Sequence, residues 1–138
     1  MKRLTALISM VIAGASAVFA GPIDDKCTTI YDAITAGDIQ KAENMTLKIY
    51  AQKSNCTAQN LADLAIIYHQ LTQKSVDAVT RYDYALKAID CYKAAVAKDA
   101  AAANAQFSAK GVDMATVVKD YNANMSKFQQ AVTESMNF

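Results

Sequence analysis

The sequence predicts an all-α fold: a single domain of antiparallel helical hairpins, stacked as a short array or bundle of about five helices. Three observations support this prediction. After Pro22, only Gly37 and Gly111 interrupt the chain as glycine or proline, so the turn residues of a multi-stranded sheet are missing. Residues that favour helices, such as Ala, Lys, Gln and Leu, are abundant. Apolar residues also recur at three- and four-residue spacing, which gathers them on one face of a helix.

The first twenty residues are predicted to be a signal peptide. Met1-Lys2-Arg3 gives a positive start, an Ala-rich apolar run follows, and Val18-Phe19-Ala20 places small residues where a signal peptidase reads them. The apolar run is shorter than the roughly 20 residues that a membrane-spanning helix needs. We therefore expect cleavage before Gly21, export to the periplasm or out of a bacterial cell, and no membrane span in the mature chain.

The mature chain is predicted to be one domain over residues 21–138. Removing 20 of the 138 residues leaves 118, enough for a domain with its own core. Lys2 and Arg3 are lost, so the 14 basic residues become 12 against 13 acidic ones. A net charge near −1 gives no general attraction to nucleic acid or anionic lipid. Nucleic acid is therefore not expected as a partner.

The first predicted hairpin spans residues 22–54. Gly37 can adopt the left-handed conformation that ends a helix, and Asp38 can cap the helix that follows. The pattern predicts a first helix over residues 22–36 and a second one from Ile39. A turn this short requires the two helices to lie antiparallel.

The second predicted hairpin spans residues 58–98. Thr57 can cap its first helix, and its second helix is predicted over residues 82–98. The connection is placed within residues 72–83, where Thr72, Ser75 and Thr80 lower helix propensity without a Gly or Pro to mark an edge. Either Ser75 or Asp83 could start the next helix. Residues 99–110 either prolong the fourth helix or form a short helix of their own.

A closing helix is predicted over residues 113–136, with Asp113 as its cap. Six apolar residues alternate four and three apart along it, over almost three heptads: Met114, Val118, Tyr121, Met125, Phe128 and Val132. This seam either closes one side of the core or joins two copies of the chain. Oligomerisation through the Met114–Val132 seam is therefore a second expectation.

Three cysteines, Cys27, Cys56 and Cys91, remain in the mature chain, and the oxidising environment outside the cytoplasm favours disulfides. In an antiparallel hairpin, Cys27 can meet Cys56 if the second helix runs on or its tail folds back. That bond would close a loop of about 30 residues and stabilise the fold by about 3 to 4 kcal/mol. The alternatives are a Cys56–Cys91 bond, an intermolecular bond, and free thiols with Cys91 as a small buried hydrophobe.

No motif in the sequence indicates catalysis. The chain has no CxxC and no HExxH, and one histidine, His69, is too few for a usual zinc site. There is also no glycine-rich loop that could hold phosphate. We therefore predict no catalytic residues, no metal and no cofactor.

Two parts of the chain resemble the tetratricopeptide repeat. The run Gly37-Asp38-Ile39-Gln40-Lys41-Ala42 resembles the turn between the two helices of that repeat, followed by the small residue that lets its second helix pack closely. A second match resembles the large-large-small-aromatic series of a first helix and the small-aromatic-small series of a second helix. Its residues are Leu61, Leu64, Ala65 and Tyr68, then Ala88, Tyr92 and Ala95.

The resemblance implies a repeat-like stack that contacts another protein or peptide. In such repeats the first helix faces a concave groove, which implies Ala62, Ile66 and His69 as partner-binding residues. The alternative for Ile66 is simple packing in the core. The predicted function is therefore an exported protein- or peptide-interaction module of the cell envelope, and not an enzyme. The alternatives are a helical bundle that binds a small apolar ligand between its helices, and a self-assembling structural component.

Overall fold

The structure is a computed structural model that describes residues 21–137. Over this range the chain is helical, without a strand, which confirms the predicted all-α class for these residues; the helices number seven rather than about five. They are α1 (Pro22–Ala36), α2 (Ile39–Tyr50), α3 (Ala58–Lys74), α4 (Ala78–Lys98), α5 (Ala100–Lys110), α6 (Met114–Ala123) and α7 (Met125–Met136), with a 3₁₀ turn at Lys53–Asn55. None of these helices combines the length and hydrophobicity that a membrane span requires. The predicted signal peptide, residues 1–20, lies outside the described residues.

The first helix pair has the predicted boundaries. Helix α1 ends at Ala36, and Gly37 follows with a φ of 85°, a conformation that glycine adopts without a steric penalty. Asp38 then caps α2 by accepting a hydrogen bond from the Lys41 main-chain N–H at 3.3 Å. Local turn chemistry alone therefore positions α1 and α2.

The connection between α3 and α4 is much shorter than predicted. Only residues 75–77 separate the two helices, and Val76 among them is 97% exposed. Asp77 caps α4 by accepting from the Thr80 main-chain N–H at 2.9 Å. Thr72 stays inside α3, where its hydroxyl donates to the Tyr68 carbonyl at 2.7 Å, so its low helix propensity is overridden.

Helices α3 and α4 lie antiparallel along their whole lengths. Near the connection, the rings of Tyr68 and Tyr84 are 5.5 Å apart. At the far end, Lys98 Nζ donates to the Cys56 carbonyl at 2.6 Å. The two contacts join opposite ends of the pair, as a hairpin requires.

Helix α3 is the centre of the domain. Every residue from Leu61 to Tyr68 is buried, and α3 contacts α1, α2, α4, α5 and α6. A surface helix is apolar along one stripe, whereas a helix that is apolar all round must be covered on all sides. The run from Leu61 to Tyr68, which is apolar apart from Asp63, therefore explains the central position of α3.

The predicted closing helix over residues 113–136 is two helices. Between α6 and α7, Asn124 has φ −105° and ψ 10°, away from α-helical values. Its side-chain amide donates to the Asp120 carbonyl at 2.8 Å. Asn side chains compete in this way with main-chain hydrogen bonds, which makes Asn a poor residue for a helix interior.

The predicted Met114–Val132 seam divides at this bend. Met114, Val118 and Tyr121 are buried in the core, whereas Met125, Phe128 and Val132 are half-buried. The first half of the seam is therefore occupied within the chain and cannot join a second copy while the domain is folded.

The three cysteines are free thiols inside the core. Cys27, Cys56 and Cys91 are 1%, 0% and 0% exposed. The 3₁₀ turn after α2 leads directly into α3, so Cys56 enters the core just before the α3 cap without bonding to Cys27. Burial, followed by the nearby Asp63 carboxylate, raises the pKa of Cys27 to about 12, and burial raises that of Cys91 to about 12.

Burial predicts the reactivity of these thiols. We expect iodoacetamide at pH 8 to alkylate the native domain at least on the order of 100-fold more slowly than the denatured chain, because the thiolate is disfavoured and inaccessible. Mass spectrometry of timed samples with and without guanidinium measures this ratio. Three thiols should react after denaturation without a reductant. A single reacting thiol, in a chain whose mass before alkylation is lower by two hydrogen atoms, would instead demonstrate a disulfide.

Candidate functional site

The face of α3 predicted to bind a partner lies in the interior. Ala62 and Ile66 are both 0% exposed, and only His69 keeps a partly accessible side chain. Residues three and four apart share one face of a helix, so all three belong to the side of α3 that α5 and α6 cover. The structure brings the three residues together but offers no open groove over them.

Two hydrogen-bonded contacts hold α5 and α6 over this face of α3. At one end, Gln106 of α5 donates to Asp63 Oδ1 at 2.7 Å. At the other end, His69 Nδ1 lies 2.7 Å from Tyr121 Oη of α6, and their rings pack edge to face at 5.7 Å. Burial lowers the pKa of His69 and raises that of Tyr121, so both side chains are neutral at neutral pH.

Asp63 is the centre of a buried polar network between α1, α3 and α5. Its Oδ1 accepts from the Tyr31 hydroxyl at 2.8 Å as well as from Gln106. Burial raises the pKa of Asp63, and these two hydrogen bonds oppose that effect. The groups are directed at one another across helix contacts, an arrangement that joins helices rather than one that receives a substrate.

An accessible concave surface lies between the beginning of α4 and the α6–α7 bend, and is termed the α4–α7 groove. It encloses about 350 Å³. Its lining residues are Arg81, Asp120, Tyr121, Asn124, Lys127, Phe128 and Ala131. Helix α7 forms one wall because it packs against α4, where Gln129 Nε2 donates to the Tyr82 hydroxyl at 3.3 Å.

Aromatic rings form the apolar part of the groove. Tyr121 and Phe128 pack edge to face with centroids 5.8 Å apart. The Arg81 guanidinium lies over the Phe128 ring, 5.6 Å from its centroid, which is within the range of a cation–π contact. This contact holds Arg81 over the groove while leaving its N–H donors available.

The polar part of the groove is mainly cationic. Within residues 21–137, neither Arg81 nor Lys127 forms an ion pair, and both are exposed. Asp120 is the one acidic residue in the lining. The groove therefore combines an aromatic surface, two cations and a single carboxylate. This combination is suited to binding a segment in which an acidic residue lies next to an apolar side chain.

A second concave surface of about 460 Å³ lies at the turn between α5 and α6. Its one charged lining residue, Asp113, is occupied as a helix cap: its carboxylate accepts from the Thr116 main-chain N–H at 3.2 Å and from the Thr116 hydroxyl at 2.8 Å. Convergent polar groups mark a ligand site, and this surface has fewer of them than the α4–α7 groove.

Comparison with known proteins found no match: no family model, no curated protein and no solved structure matches the chain. In the part of the chain that the structure describes, no group of three or more His, Cys, Asp or Glu side chains could hold a metal ion.

Sequence reasoning found the aromatic members of the groove only as seam positions, and it missed the polar ones. Arg81 and Lys127 are 46 residues apart and belong to no motif. One signal was present: Asn124 interrupts an otherwise apolar-periodic helix, and Asn has low helix propensity. The bend at that residue is what turns α7 toward the beginning of α4.

Proposed function

We propose that this chain is an exported interaction module that binds a segment of another protein in the α4–α7 groove. The observation that supports it is one concave surface on which the half-buried Phe128 ring, packed edge to face on the largely buried Tyr121, lies beside Arg81 and Lys127. These two cations form no ion pair within residues 21–137. Aromatic and Arg side chains are enriched where proteins bind one another.

Contacts between the two hairpins support a repeat-like stack. The equivalent helices α1 and α3 are joined by Tyr31 to Asp63, and α2 and α4 by Tyr50 to Asp90 at 2.8 Å. A second α2–α4 contact joins the Tyr84 hydroxyl to Glu43 at 2.5 Å. In repeat proteins, successive hairpins pack in this way, each burying the face of its neighbour.

The chemistry of the groove favours an acidic, apolar segment. An apolar side chain would bury its surface against Phe128, and a neighbouring carboxylate would lie near Arg81 and Lys127. Exposed ion pairs contribute only about 0 to 1 kcal/mol each, and the groove is small. We therefore expect a contact whose specificity and association rate depend on charge, and whose affinity is modest.

Charge reversal in the groove tests this proposal. The double variant Arg81→Glu/Lys127→Glu should co-purify with at least about tenfold less partner from the native cell envelope than the wild-type protein does. The reason is that two attractive charge interactions become repulsive. Quantitative mass spectrometry of affinity-purified material from cells at equal expression measures the loss.

The matched control is Lys26→Glu/Lys48→Glu, which changes charge equally at exposed positions on α1 and α2. It should retain the partner, and both variants should keep the helical circular-dichroism spectrum and melting temperature of the wild type. Equal loss in both variants, or equal retention, would rule out the groove as the binding surface.

A further inference from the structure

The main-chain nitrogen of Gly21 lies at a polar junction between α1 and α3. It is 3.1 Å from Asp24 Oδ2, to which it donates a hydrogen bond. The other carboxylate oxygen of Asp24 accepts from the Asn60 side-chain amide of α3. Asn60 is only 3% exposed and itself belongs to the α3 capping box with Thr57. Gly21 is thus linked through one carboxylate to the central helix.

This junction is rich in negative charge. Asp24 and Asp25 both lie in the first turn of α1, and the Asp24 carboxylate disfavours ionisation of the buried Asp63. While residue 20 is joined to residue 21, the Gly21 N–H is a neutral donor. Hydrolysis of the Ala20–Gly21 peptide bond consumes one water; Ala20 leaves with a carboxylate, and Gly21 keeps an amine that takes up a proton at neutral pH.

We infer that leader removal before Gly21 stabilises the fold, because the released ammonium forms an ion pair with Asp24, the carboxylate that also accepts from Asn60 and so links α1 to α3. This inference rests on the proposed export. The mature chain is then more stable than the precursor, and the full stability of the domain is reached only after processing. Such coupling keeps the precursor easier to unfold for passage across a membrane.

Two electrostatic effects oppose each other at this position. A positive charge at a helix N-terminus is disfavoured by the helix dipole. The ammonium, however, is in direct contact with the Asp24 carboxylate, whereas the dipole acts as about half a charge that Asp24 and Asp25 in the first turn already offset. The attraction between the ammonium and Asp24 is therefore larger than the unfavourable interaction with the helix dipole, and the net effect stabilises the folded state.

The test compares the chain beginning at Gly21 with the same chain acetylated at Gly21. Acetylation restores a neutral N–H and removes only the charge. At pH 6.5 and low salt, the free form should melt about 2 to 4 °C higher, and the difference should vanish near pH 10, where the ammonium is deprotonated in both states. Differential scanning calorimetry measures both values.

Two variants locate the effect. Asp24→Asn should abolish the difference between the free and acetylated forms, whereas Asp25→Asn, one residue along the same helix, should preserve most of it. An acetylated form that is as stable as the free form or more stable would overturn the inference, as would a difference that survives Asp24→Asn.

The mature terminus is checked separately by mass spectrometry of the exported protein. A terminus other than Gly21 would overturn this inference and leave the groove proposal intact. Loss of partner binding on charge reversal tests the groove alone, so failure of the two proposals can be told apart.

Discussion

Replacement of Ile66 by alanine is expected to lower the free energy of unfolding by about 3 kcal/mol. Ile66 is fully buried at the centre of α3, where the chain covers it from several sides, so the cavity left by truncation cannot easily collapse. Guanidinium unfolding followed by circular dichroism measures the change. The slope of the transition should be unchanged, because the surface exposed on unfolding is nearly the same.

Leu47→Ala on α2 is the matched control, since Leu47 is 56% exposed. We expect it to change stability by less than about 1 kcal/mol. If Ile66→Ala were as mild as Leu47→Ala, the covered face of α3 would be open in solution. Ala62, Ile66 and His69 would then be available to a partner, as the repeat resemblance implies.

Replacement of Asp63 by alanine is expected to cost about 2 to 3 kcal/mol. The change leaves the half-buried Tyr31 hydroxyl and Gln106 amide without their shared acceptor. Each unsatisfied group of this kind costs an amount near the lower end of the about 1 to 3 kcal/mol for a buried group. Asp63→Asn keeps a carbonyl oxygen for both donors and removes a buried charge. It should therefore be much milder than Asp63→Ala at neutral pH.

The pH dependence of the Asp63→Asn comparison has a definite sign. Because burial raises the folded-state pKa of Asp63, the folded state binds more protons than the unfolded state above about pH 4. The stability of the wild type relative to Asp63→Asn should therefore decrease as pH rises from about 4, and level off above the folded-state pKa.

Urea unfolding of the wild type, Asp63→Ala and Asp63→Asn between pH 4 and 8 measures these differences. Asp32→Ala, at an exposed position on α1, serves as the control and should stay within about 0.5 kcal/mol of the wild type. A wild type that gains stability over Asp63→Asn with rising pH would contradict the network described for Asp63.

Helix boundaries with their own turn chemistry were predictable from the sequence. Gly37 and Asp38 define the end of α1 and the beginning of α2 within the chain segment itself, and Thr57 does the same for α3. These signals act over three or four residues. The α3–α4 connection is shorter than predicted because Asp77, a cap of the same kind, begins α4 among residues of low helix propensity.

The arrangement of helices around α3 was not predictable in this way. The apolar pattern of α3 shows that the helix is buried but not which helices cover it. The Gln106–Asp63 and His69–Tyr121 contacts join residues 43 and 52 apart, and they put α5 and α6 over the face that the repeat resemblance leaves open. The α4–α7 groove likewise exists only after the bend at Asn124 brings Lys127 and Arg81 to one surface.

Site-specific photo-crosslinking in living cells tests the central claim, that the α4–α7 groove is the contact surface, most directly. A benzoylphenylalanine placed at Ala131, an exposed lining residue that leaves both cations in place, should give a discrete adduct with one partner, and the adduct should disappear when Arg81→Glu is added. The same group at Ala105, an exposed residue on α5, should give none. An adduct at Ala105 together with no adduct at Ala131 would contradict the claim and place the contact on another face of the domain.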